Sequence, residues 1–191
     1  MSVSDIRGLT YLDQLYATLR LLQEDFNDAS ERVLAEHSNS AMRSFLRAFW
    51  ALVDGSTYAM RKVALEVHCK NQCFTQGEAS ILRGVVYDLN RRGGVTERDM
   101  HLDTIGAIRF TFHTFRKAFA LAVEVDYSDS GWQAFQHCLS IRHRVVHPKS
   151  VEDLTISPTD NGEGKDVDLM VEGGYWFISQ FAALMKAARE R

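Results

Sequence analysis

The residues best suited to chemistry lie in one short run, Ser140-Ile141-Arg142-His143-Arg144-Val145-Val146-His147-Pro148-Lys149. A guanidinium stands five residues ahead of an imidazole, and proline follows the imidazole directly. Read as a helix, Phe135, Cys138, Leu139, Arg142, Val145 and Val146 form one stripe in steps of three and four. Arg142 thus takes a place that the pattern gives to an apolar side chain. A guanidinium keeps its charge, so on such a stripe it requires an acid or a phosphate. Asp54, within the apolar run Phe49-Trp50-Ala51-Leu52-Val53, is one candidate acid, and Glu66 is another. A purely internal ion pair is the scaffold reading of Arg142, and an orienting acid beside a functional arginine is the other.

Imidazole changes protonation readily near physiological pH, which suits His147 to general acid or base work. Arg142 suits bidentate capture of a phosphate. On an ideal helix five residues turn about 500°, so Arg142 and His147 would diverge by roughly 140°. Proline disfavours helical backbone in the residue before it. His147 is therefore expected at or beyond the helix end, where its ring can swing back toward Arg142. The same arginine-to-histidine spacing recurs at Arg32 and His37, but there an acid precedes the histidine and no proline closes the run. His143 and His147 have the spacing of a helical zinc pair, yet Pro148 breaks the register and third and fourth ligands are not apparent. No metal or other cofactor is expected.

Arg142, His143, His147 and the continuation Pro148-Lys149 resemble the signature of the HEPN superfamily, a set of small all-helical domains. That signature is an arginine, usually followed by Asn, Asp or His, then a histidine after four to six intervening positions, at the end of a late helix. Many members are RNases of toxin–antitoxin, abortive-infection and CRISPR-associated systems. Members paired with a nucleotidyltransferase antitoxin carry a tyrosine two residues after the histidine, where this chain has Lys149. The resemblance implies a metal-independent endoribonuclease that leaves 2′,3′-cyclic phosphate ends, with Arg142 and His147 catalytic. It also implies a homodimer whose two motifs face one shared cleft. His143 would orient Arg142 or contact RNA, and Arg144 and Lys149 are candidate RNA contacts. The implied partners are RNA rather than DNA, a second copy of the chain and an antitoxin protein. The alternative is a non-catalytic module of the same type that binds nucleotide or RNA, or mediates dimerisation.

The elements that must position these residues read as helices. Leu12, Leu15, Tyr16, Leu19, Leu22 and Phe26 form an amphipathic stripe. A longer helix from about Asn39 toward His68 turns Phe45, Leu46, Phe49, Trp50, Val53, Met60, Val63 and Val67 inward. Thr75-Gln76-Gly77-Glu78 is a capping box that opens a third helix, expected to end at Gly93-Gly94. A fourth begins near Asp103, with Ile105, Ile108, Phe112, Phe115, Phe119 and Ala122 in helical steps. Its aromatic stripe reads as core. Ser130-Gly131-Trp132-Gln133 reads as a second capping box, opening the helix that carries Arg142. The polar stretch from Val151 to Asp166 is expected as a loop, and a last helix runs from about Val167 to Arg189. No useful strand alternation is visible, so the expected architecture is an all-α bundle of five to six helices in one domain, 1–191.

Composition narrows the classes. At 46% apolar and 25% charged residues, the 191-residue chain can bury a core of ordinary type. A net charge of −3 argues against a surface wholly given to nucleic acid, but it permits a local patch. From Ser130 to Val151 there is no acid, while Arg142, Arg144, Lys149, His137, His143 and His147 all fall there. Glu152, Asp153, Asp160, Glu163 and Asp166 follow at once. Three cysteines and no secretory leader point to a reducing, cytoplasmic setting. The longest late uncharged run, Tyr175 to Met185, is too short to span a bilayer.

Overall fold

In the computed structural model, residues 11–36, 38–156 and 166–190 are described, apart from the side chains of Tyr11, Leu12 and Leu15. The side chains of Leu12 and Leu15, and the whole of Asp160, Glu163 and His37, all named above, therefore lie outside what is described. Among the described residues the chain is mostly helical: α1 (Tyr11–Glu36), α2 (Asn39–Asn71), α3 (Gln76–Arg83), α4 (Thr104–Phe119), α5 (Ser130–Val146) and α6 (Asp166–Arg189). A hairpin of β1 (Val85–Leu89) and β2 (Val95–Asp99) separates α3 from α4. No described helix is long and apolar enough to cross a membrane.

The chain divides into two compact units. One comprises 56–123 with the outermost residues of α1 and α6, the other 17–55 and 124–186. In the first, Ala64, Phe74 and Leu82 form a small core packed by Leu65, Cys73, Phe110 and Ala118. The capping box holds α3 as the sequence predicts: Glu78 N–H donates to Thr75 Oγ1, and Thr75 N–H donates to Glu78 Oε2 at 2.7 Å. Lys117 Nζ then grips the same carboxylate at 2.7 Å, tying α4 to the start of α3. That ammonium and the cap bonds hold the Glu78 carboxyl down at about 2.

The third helix does not reach Gly93. Gly84 adopts a left-handed conformation (φ 76°) and ends α3 after Arg83, as a Cβ-free residue readily does. The chain then reverses through Asn90–Gly94 and pairs antiparallel, Val85 opposite Asp99 and Leu89 opposite Val95. Both strands are five residues long, and every residue of β2 is exposed. Without a buried face there is no alternation of apolar and polar residues to read.

The second unit is organised by aromatic rings from α2, α5 and α6. Phe135 stacks on Phe177 at 5.6 Å, and Phe49 meets both rings edge-on at 6.2 and 6.4 Å. Trp132 and Trp176 lie 4.7 Å apart. Each such pair adds roughly 0.5–1.5 kcal/mol beyond area burial. The helices come this close because Gly173 of α6 sits against backbone: a Cβ there would lie 2.6 Å from Phe135 Cα. The cap of α5 is Asp129, not Ser130. Asp129 accepts from Gly131 N–H at 2.6 Å, while the Ser130 hydroxyl donates to Glu172 on α6.

Candidate active site

The end of α5 is where the candidate residues gather. The helix stops at Val146, and His147 caps it with φ −123° and ψ 59°, outside the helical region that the following proline disfavours. The His147 N–H still donates to the His143 carbonyl at 3.0 Å, so the last turn is closed and the two histidines stay in register. Both are exposed. Together with Arg144, Lys149 and Asp153 they line an open cleft of about 420 Å³.

The opposite wall of that cleft is the loop after Pro148, and it is fastened at successive backbone groups. Arg43 Nη1 donates to the Leu154 carbonyl at 2.9 Å, Arg144 Nη1 to the Thr155 carbonyl, and Ile156 N–H to Asn39 Oδ1 at 2.8 Å. Ile156 is fully buried. Asp153 closes a turn by accepting from the backbone N–H groups of Lys149 and Ser150. Ordering a loop costs about 1–2 kcal/mol per residue, so these clamps on Leu154, Thr155 and Ile156 are what hold Lys149 and Asp153 opposite the histidines. Neither Asn39 nor Arg43 is marked for this role by its neighbours in sequence. Their partners lie 117 and 111 residues away, and no local signal carries that distance.

Arg142 occupies a different place. Its Nη2 donates to Asp54 Oδ2 at 2.8 Å, and its guanidinium lies 4.8 Å over the Trp50 ring. Asp54 and Arg142 line a second, smaller cleft of about 200 Å³ with Leu46, Arg47, Trp50, Ala51, Val145 and Val146. The ion pair is only partly shielded, with the arginine side chain 28% and the aspartate 50% exposed. Arg142 thus sits on the helix stripe by laying its flat guanidinium on an indole while keeping one edge near water, which lessens the desolvation cost. Its remaining N–H groups have no protein partner among the described residues. The Trp50 indole N–H, beneath it, is buried without a hydrogen-bond acceptor among them. Trp50 is turned inward as its helical spacing predicts, and its contact with the arginine is what the structure adds.

Within the chain, then, His143 and His147 share a cleft, and Arg142 and His147 line different ones. Glu66 pairs with Lys70 one turn along α2, at 3.2 Å. Arg144 lines the histidine cleft but is committed: besides Thr155 it holds Asp166, the first residue of α6, at 2.7 Å. His137 Nε2 lies 3.8 Å from the same carboxylate. Arg32, of the second arginine–histidine match, pairs with Glu36 at 3.1 Å. No group of three His, Cys, Asp or Glu side chains able to hold a metal occurs among the described residues.

Comparison of the chain with family models, curated proteins and solved structures finds no match.

Proposed function

We propose that this protein is a metal-independent endoribonuclease of HEPN type. The observation that carries the reading is the cleft at the end of α5, where two histidines and Arg144 face a loop that carries Lys149 and is held in place by Asn39, Arg43 and Arg144. RNA carries its own nucleophile, the 2′-OH. Cutting it needs a base for that proton, an acid for the departing 5′ oxygen, and positive charge beside the phosphorane. Imidazoles serve the first two needs, and the Lys149 ammonium and guanidinium groups nearby serve the third. Arg142, steadied by Asp54 and Trp50, keeps donors for a neighbouring phosphate. A toxin–antitoxin or phage-defence setting, with an antitoxin partner, belongs to the same proposal.

The direct test is incubation of purified protein with single-stranded RNA in EDTA. The expected products carry 2′,3′-cyclic phosphate and 5′-OH ends, and DNA of the same sequence remains intact. Intact RNA under these conditions defeats the proposal. Two-fold pairing of the motifs is part of it too, since a symmetric dimer doubles the acid-free stretch of α5 into one groove. Sedimentation showing only monomer at micromolar concentration, with cleavage intact, removes the dimer from the proposal.

One observation favours a second reading, a module that binds RNA or nucleotide without turnover. Arg142 is already paired with Asp54 and stacked on Trp50, so it is held as a scaffold residue would be. That reading expects retained RNA affinity, falling as salt rises, with no cut product.

A further inference from the structure

We infer that His143 is a second catalytic residue and that it works with His147 of the same protomer, one as base and the other as acid. This inference rests on the endoribonuclease reading above and deepens it. The observations are geometric. His143 and His147 are one helical turn apart, so their side chains leave the helix on the same side. The His147 N–H to His143 carbonyl bond fixes that offset although His147 itself is no longer helical. Both rings line the one cleft, and Arg142 lines another. Neither histidine has a side-chain hydrogen bond or ion pair with the protein among the described residues, so both rings are open to a ligand.

The other charged groups facing this pair are accounted for. Arg144 is held by Thr155 and Asp166, and the Asp153 carboxylate by the N–H groups of Lys149 and Ser150. The Lys149 ammonium makes no hydrogen bond or ion pair with the protein among the described residues, which leaves it available to the phosphate. In the step itself one neutral imidazole takes the proton from the 2′-OH as O2′ bonds to phosphorus. The P–O5′ bond breaks, and the other ring, entering as imidazolium, gives its proton to O5′. The products are a 2′,3′-cyclic phosphate and a 5′-OH. The enzyme ends with the two protonation states exchanged, and solvent resets them. No metal, oxidant or further reactant enters the balance.

The test is the pH dependence of kcat/KM for RNA cleavage in EDTA, measured for wild type, His143→Ala and His143→Asn. Wild type should give a bell, whose limbs report an essential base and an essential acid. Both variants should lose roughly 10²-fold or more in kcat/KM and one limb of the bell. Added imidazole should restore part of the rate of His143→Ala. His143 is exposed, so both variants should keep the wild-type circular dichroism, and His143→Asn controls for lost polarity. A wild-type rate and an unchanged bell in both variants overturn the assignment while leaving the endoribonuclease reading standing. No cleavage by wild type at any pH overturns that reading and this inference together.

Discussion

The backbone-to-backbone approach of α6 to α5 at Gly173 gives a sharp stability expectation. Replacing Gly173 with alanine adds one methyl group in a helix interior, where alanine is intrinsically better by about 1 kcal/mol. Here that methyl would sit 2.6 Å from both Cα and N of Phe135 and 2.9 Å from the carbonyl carbon of Ala134. These are backbone atoms of α5, so no rotamer change relieves the clash. The helices must part, and a gap of roughly 0.5–1 Å forfeits a quarter to a half of each dispersion contact it opens. Phe135–Phe177 and Trp132–Trp176 lie along that seam. Overpacking of this kind costs up to about 3 kcal/mol, which leaves a net loss of about 2 kcal/mol after the helix gain. All three tryptophans, Trp50, Trp132 and Trp176, lie in the second unit, so their fluorescence during urea unfolding reports it directly. With a slope near 2 kcal/mol per molar urea, the midpoint should fall by about 1 M. Gly77 in α3 is the control: its Cβ would meet nothing within 4 Å. Gly77→Ala should raise stability by about 0.5 kcal/mol, read by far-ultraviolet circular dichroism. A Gly173→Ala protein as stable as wild type would refute the packing argument.

Three further expectations test other contacts. Because the Glu78 carboxyl is held at about 2 by Lys117 and its cap bonds, its contribution is present above its ordinary 4.5 and lost as pH falls toward 2. Glu78→Gln keeps the cap shape, so it should cost under about 1 kcal/mol at pH 7 and flatten that acid dependence. Unchanged acid dependence in denaturant melts contradicts the pairing. Burial pushes the Cys138 thiol up to about 12, and it donates to the Leu169 carbonyl at 3.2 Å. A thiol-reactive dye should label exposed Cys69 in the native protein and Cys138 only after unfolding. Arg142→Ala removes a half-exposed ion pair and one cation–π contact, together worth about 1–2 kcal/mol. It should therefore stay folded, whereas collapse of its circular dichroism would show that the pair holds the unit together.

What was legible in the sequence follows from the range of the forces involved. The Thr75–Glu78 cap and the Asp103 start of α4 are local exchanges of hydrogen bonds, and residue types at fixed offsets announce them. The end of α5 at His147 was legible for the same reason, since Pro148 acts on its neighbour. Asp129 and Ser130 are both capping types, and the choice between them turned on Glu172, 42 residues from Ser130. The hairpin went unread because β2 buries nothing, although Gly84 and the Asn90–Gly94 turn between two Val-bearing runs were its available signals. At the candidate site the residue types and spacing were plain. Which of them share a cleft was not, because that depends on a loop fastened by Asn39 and Arg43 from the start of α2.

The most direct measurement of the central proposal is the single-turnover cleavage rate of an RNA oligonucleotide, in EDTA, by wild type and by His147→Ala. His147 is exposed and makes no side-chain hydrogen bond or ion pair with the protein among the described residues, so the variant should match wild type in tryptophan fluorescence and urea midpoint. The expected result is cleavage by wild type and a rate lower by roughly 10²–10⁴-fold in the variant, the range that a positioned proton-transfer group supplies. Equal rates in two equally folded proteins would contradict it.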